Sequence, residues 1–133
     1  MQMLKDAILE RGKAINPDIL LVDSFLNHQV DVALMKAVGE TEHFANRGIT
    51  RVVTIESSGI APASFTALAL GLPLVIMKKQ TSRILNGDLL QTTVRSFTKG
   101  TEYQLSVKHE FLNADDNILL IDDFLASGEA AFG

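Results

Sequence analysis

Cysteine is absent from the chain, which excludes disulfides and thiolate metal sites. Basic residues are also in short supply: 12 lysines and arginines stand against 16 acids, a net charge of -4 at neutral pH. That balance disfavours adhesion to nucleic acid or to an anionic membrane by bulk electrostatics, so any phosphate must be handled by local groups. The N-terminal stretch MQMLKDAILERGKAI interleaves charges with apolar residues and lacks the unbroken apolar run of a signal peptide, which makes a cytoplasmic location the default. Residues 57–77 carry no charge and approach the length of a bilayer span. Pro62, Gly71 and Pro73 nevertheless divide them into a helix and a short apolar strand, so they read as two buried elements. No repeat, low-complexity tract or Gly/Ser linker is visible, and 133 residues suit a single α/β domain.

What is present is ordered along the chain. Met3, Leu4, Ala7 and Ile8 have helical spacing and Gly12 is a natural stop. The run Ile19, Leu20, Leu21 and Val22, followed by Asp23-Ser24, predicts a strand entering a loop. A second helix is expected over residues 32–45, closed by Arg47-Gly48. Then TRVVTIESSG, APASFTALALG and LPLVIMKK form a βαβ unit, whose near-continuous apolar strands fit a parallel sheet covered on both faces. Residues 80–112 are more polar, with a weak alternation at Tyr103, Leu105 and Val107, and predict an excursion or loose hairpin. Asp115-Asp116-Asn117 makes a turn before ILLID, a third buried strand.

The segment ILLIDDFLASGEA carries the most chemistry. An apolar strand delivers Asp122 and Asp123 to the carboxyl edge of the sheet, where ligands of open α/β folds bind. The small residues Ala126, Ser127 and Gly128 then offer backbone N–H groups to an anion at a helix start. Carboxylates suit ribose hydroxyls or a nearby metal, and an N–H nest suits a phosphate. An acidic turn after a buried strand is the bland alternative. Glu56-Ser57-Ser58-Gly59 similarly joins a strand to a helix with small residues able to approach a phosphate, although such loops begin many helices. Lys78 and Lys79 end the second core strand at the same sheet edge, either facing a leaving group that gains negative charge or simply solvated.

The thirteen-residue segment resembles the phosphoribosyl pyrophosphate (PRPP) signature of type I phosphoribosyltransferases, and LLVDSFLNHQVD resembles the base-recognition segment of that family's bacterial xanthine branch. The resemblance extends through TIESSGIAPA and covers nearly the whole chain from Leu4 onward. It implies a parallel sheet flanked by helices, with an N-terminal base-recognition part over residues 1–48 and a core over residues 49–133 that includes a hood loop at about 80–112. It also implies transfer of the phosphoribosyl group from PRPP to xanthine, giving XMP and pyrophosphate in purine salvage, with guanine a weaker substrate.

By the same resemblance, Asp122 and Asp123 hold the ribose hydroxyls as the catalytic pair. Ala126, Ser127, Gly128, Glu129 and Ala130 hold the 5'-phosphate; Ser57, Ser58, Gly59 and Lys79 the pyrophosphate; Leu20 and Asn27 the xanthine. Mg2+ accompanies PRPP without direct protein ligands, and a homodimer is expected. Two departures stand out: Ser127 replaces a common threonine, and Glu129 must turn outward from a phosphate that would repel it. Ser96, Phe97, Thr98 and Lys99 match part of the hood loop, with Arg95 where an aromatic is expected. The family fold continues beyond three core strands, so a C-terminal part including a further base contact is expected to be missing. A non-catalytic PRPP sensor and an inactive truncated enzyme are the competing readings.

Overall fold

The computed structural model describes residues 2–16, 19–21, 23–40, 44–79, 89–95, 102–123 and 131, with the backbone alone for 15, 16, 19–21, 23 and 27. Helix α1 (Gln2–Arg11) ends where Gly12 N–H donates to the Ile8 carbonyl at 2.9 Å. Its Ala7 is buried in a small core with Phe25, Leu34 and Met35, against which Leu4 and Ile8 pack. The expected strand is β2 (Ile19–Leu21), and Val22, the last residue of the apolar run, lies outside the described residues. It pairs antiparallel with β1 (Lys13–Asn16), a partner that the polar, mixed sequence KAIN does not announce. A π-helical turn over Asp23–Asn27 replaces the expected loop.

Helix α2 spans Val32–Gly39, six residues shorter than the periodicity predicts. Its start is well determined: the Asp31 carboxylate accepts the Leu34 N–H at 3.0 Å and the Arg11 guanidinium at 2.9 Å. The Leu34 bond and then Arg11 hold that carboxyl below its ordinary pKa. Its end follows from packing. Gly39 is pressed against the backbone of Phe65 and Thr66, leaving no room for a Cβ, and Glu40 closes the helix through its N–H to the Lys36 and Val38 carbonyls. A glycine that suits this close approach also weakens the helix that contains it.

The βαβ unit is present as read. Strand β3 (Arg51–Ile55) leads to α3 (Ile60–Leu70), which Gly71 ends in the left-handed region at φ 67° before β4 (Leu74–Met77). Pro62 stands in the first turn of α3, where its missing N–H has no intrahelical partner to lose. Strand β7 (Ile118–Ile121) lies on the other side of β3, and the parallel sheet runs in the order β4-β3-β7.

Strand β3 is buried on both faces, which explains its near-continuous apolar character. Val52 packs with Ala63 and Ala67 of α3, whereas Val53 meets Val75 and Val107, and Ile55 meets Val94 and Leu105. Of the last four partners, Val75 belongs to β4, Val94 to β5 (Leu89–Arg95), and Leu105 and Val107 to β6 (Glu102–Lys108). The excursion is therefore more than loose: its arms pair antiparallel from Leu89↔Lys108 to Arg95↔Glu102, and β6 is fixed to the end of β4 by reciprocal Lys78–Ser106 backbone bonds of 2.9 Å. A 3-10 turn over His109–Phe111 returns the chain toward β7. No helix among the described residues is long and apolar enough to cross a membrane.

Candidate functional site

Three segments leave the carboxyl ends of the parallel strands side by side. In register, Ile55 stands opposite Met77 and Thr54 opposite Ile121, so Glu56, Lys78 and Asp122 are each the first residue beyond the ladder. Parallel pairing thus brings together residues that are 66 positions apart in the chain, as open α/β sheets do at their ligand-binding edge.

Glu56 ties the first two segments together. Its N–H donates to the Met77 carbonyl at 3.1 Å, and its Oε1 accepts the Lys79 N–H at 2.7 Å. Its Oε2 stands 3.9 Å from Lys78 Nζ. The Glu56–Ser57 peptide is cis, after which Ser57 is exposed, Ser58 half-buried and Gly59 buried at the threshold of α3. The cationic pair is divided: Lys78 leans to Glu56, whereas the Lys79 ammonium lies over the Tyr103 ring, 5.5 Å from its centre. Sequence reasoning took Glu56 only as the head of its loop and Tyr103 only as part of an alternation. No local signal distinguishes either, because each owes its place to a strand pairing.

The acidic pair follows β7. Asp122 is exposed as a residue, yet its Oδ1 faces the Gly59 backbone and accepts the Asp123 N–H at 2.9 Å. Loss of solvent around the carboxyl, then the neighbouring Asp123, push its pKa up to about 6, with the Asp123 N–H bond and Lys79 opposing. Tyr103 is raised by its own burial and then by the charge of Asp122, which places the ring within the field of the site. The arrangement offers carboxylate acceptors, a cation and a small-residue turn within one rim. Those groups suit a ligand that carries both hydroxyls and phosphates.

The expected site residues therefore divide in two. Ser57, Ser58, Gly59, Lys79, Asp122 and Asp123 stand together at this edge. Ala126, Ser127, Gly128, Glu129 and Ala130 lie outside the described residues, as do residues 96–99 of the expected hood loop. Leu20 lies in β2 and Asn27 ends the π-helical turn, with their side chains outside the described part.

No protein-family model matches the chain. It is 57% identical over 135 aligned positions to a xanthine phosphoribosyltransferase of Clostridium botulinum, covering all of this chain and 71% of that protein. It is 50% identical to a xanthine phosphoribosyltransferase of Oceanobacillus iheyensis, again over its whole length and 70% of the relative. Among solved structures, an APRTase from Giardia lamblia complexed with 9-deazaadenine superposes with a TM-score of 0.78 at 28% identity, over 96% of this chain and 71% of that one. An adenine phosphoribosyltransferase from Trypanosoma brucei, in complex with AMP, pyrophosphate and ribose-5-phosphate, shares the fold with a TM-score of 0.77 at 17% identity, over 97% of this chain and 58% of that one. Identity above half along the full chain, on a sheet whose edge gathers the acidic pair and the serine loop, makes this chain a member of the xanthine phosphoribosyltransferase family.

Proposed function

We propose that the protein transfers a 5-phosphoribosyl group from PRPP to xanthine, forming XMP and releasing pyrophosphate in purine salvage, with guanine a weaker substrate. The observation that carries this reading is the convergence of Glu56, Lys79, Gly59 and Asp122 from three strands on one rim, in a chain so similar to enzymes of that name. Asp122 and Asp123 accept hydrogen bonds from the ribose hydroxyls. Ser57, Ser58 and the Gly59 backbone, with Lys79, hold the pyrophosphate as it gains charge on departure, and residues 126–130 hold the 5'-phosphate. Leu20 and Asn27 recognise the base, the latter because a carboxamide supplies both an acceptor and donors to an oxidised purine edge.

Little covalent chemistry is asked of the protein. A purine nitrogen bonds to C1' as the C1'–oxygen bond breaks, the bonding pair leaves with pyrophosphate, and the nitrogen gives up its proton. Positioning and charge stabilisation supply the acceleration. The rim fits a hydrated cation that accompanies PRPP: Asp122 and Asp123 would be the carboxylates that face it. When bound, Mg2+ would neutralise charge on the leaving pyrophosphate. Residues 1–48 form the base-recognition part and residues 49–133 the core, with a hood at about 80–112 closing over the rim. The protein works in the cytoplasm as a homodimer.

Incubation with PRPP, Mg2+ and each of xanthine, guanine, hypoxanthine and adenine tests the assignment. XMP formation with weaker or no turnover of the other bases is expected. Saturable PRPP binding without product from any base would instead mark a sensor or an inactive form.

A further inference from the structure

Thr54, the fourth residue of β3, has a hydroxyl that the mechanism above does not use. It is fully buried, and its Oγ1 has no hydrogen-bond partner among the described residues. A buried hydroxyl left unpaired opposes folding, and valine would fill the same space in a strand without that cost. Both preceding residues, Val52 and Val53, are valines with no exposure at all. Packing alone therefore gives no reason for threonine at the third of these positions.

Its surroundings supply one. Thr54 is in register with Ile121, one residue before Asp122, and Gly59 lies across both strands. A methyl group at Gly59 would overlap the Thr54 hydroxyl and stand 3.1 Å from Asp122 Oδ1 and 3.2 Å from Asp122 Cα. Hydroxyl and carboxyl thus approach the same bare glycine from β3 and β7. In the present arrangement Oδ1 is engaged by the Asp123 N–H at 2.9 Å.

We infer that Thr54 is a positioning residue whose hydroxyl becomes a donor to the Asp122 carboxylate when the acidic pair turns to grip the sugar, with Gly59 kept bare to leave room for that bond. This rests on the reading of Asp122 and Asp123 as the ribose-holding pair. Thr54 touches no substrate; it fixes the angle at which one acid meets the ribose hydroxyls.

Calorimetric titration of the full chain with PRPP and Mg2+ tests this without requiring turnover. Thr54→Val should bind PRPP roughly tenfold more weakly, the scale of one lost hydrogen bond to a charged group, while melting at the same or a higher temperature. Thr54→Ser should stay within about twofold of the parent, because it keeps the hydroxyl. In steady-state assays the KM for PRPP should rise by the same factor, with kcat and the KM for xanthine little changed. If valine disturbs the fold, Thr54→Ala against Thr54→Ser isolates the hydroxyl, since both lack the methyl group. Unchanged PRPP affinity in Thr54→Val, or an equal loss in the serine and alanine variants, overturns the inference. Asp122→Ala combined with Asp123→Ala keeps the two ideas apart: retained PRPP affinity there sinks the site reading itself, whereas its loss beside a normal Thr54→Val sinks only the role of Thr54.

Discussion

The two ends of β7 both carry aspartates, and they are treated in opposite ways. At the amino end Asp116 accepts from Thr50 Oγ1 at 2.9 Å, Arg51 Nε at 3.0 Å and Asn113 N–H at 3.0 Å, and its side chain is 9% exposed. Asn117 beside it donates to the Arg47 and Gly48 carbonyls at 3.1 and 3.0 Å. At the carboxyl end Asp122 accepts one N–H, from its own neighbour, beside a second acid. The Asn113 bond, with Thr50 and Arg51, lowers the pKa of Asp116, whereas desolvation and Asp123 raise that of Asp122. One end has its acid satisfied and closes the fold. Among the described residues the other gives its acid a single N–H partner, which leaves acceptors open to a ligand.

Replacing each acid should break this comparison cleanly. The largest effect is expected for Asp122→Ala with Asp123→Ala, which should lower phosphoribosyl transfer on the order of 100-fold or more, as when preorganised groups around a reacting centre are removed. Its circular dichroism spectrum should remain that of the parent. Turnover and PRPP affinity left intact would show that the rim is not the sugar site. Asp116→Ala should do the reverse, lowering the melting temperature by roughly 5 °C while PRPP affinity of the folded protein stays within about twofold, since its partners lie at the far end of the sheet. Calorimetry on one sample reads both quantities.

A smaller effect separates the two acids by pH. Asp122 titrates near 6 in the folded state against an ordinary 3.8, so the folded protein binds that proton more tightly. Its contribution to stability is present below about pH 4 and lost as pH rises through about 6. Asp122→Asn should therefore melt higher than the parent at pH 7 and equal it near pH 4. Asp116 has the opposite sign: its lowered pKa means stability present above 3.8 and lost as pH falls through the folded value. The deficit of Asp116→Asn should accordingly shrink in acid. Melting curves from pH 3 to 8 that moved in the same direction for both variants would erase the distinction.

Much of the fold was legible because its signals are local. The β-branched run at 52–55, the helix closed by Gly71, and the apolar ILLI are each decided within a few residues by burial and backbone preference. Helix α2 was misjudged because Gly39 and its approach to Phe65 cut short a periodicity that continues in sequence. The β1 strand was missed because an antiparallel partner, not composition, makes KAIN extended. At the site, the acids and the serine loop announce themselves by residue type. Glu56, Tyr103 and Thr54 do not, since a clamp, a ring under a lysine and an orphaned hydroxyl exist only across strands.

The sequence by itself determined the βαβ unit and the strand after it, that their sheet is parallel, and that two aspartates and a small-residue loop sit at strand ends, because hydrophobic period and turn chemistry act over a few positions. Only the tertiary structure decided that Asp116 is held by three donors while Asp122 is desolvated beside a second acid, that Lys79 lies over Tyr103 rather than beside Lys78, and that Gly59 has no space for a side chain. Partnership between charges, and the desolvation that gives it weight, depends on which distant residues the sheet register brings within a few ångströms.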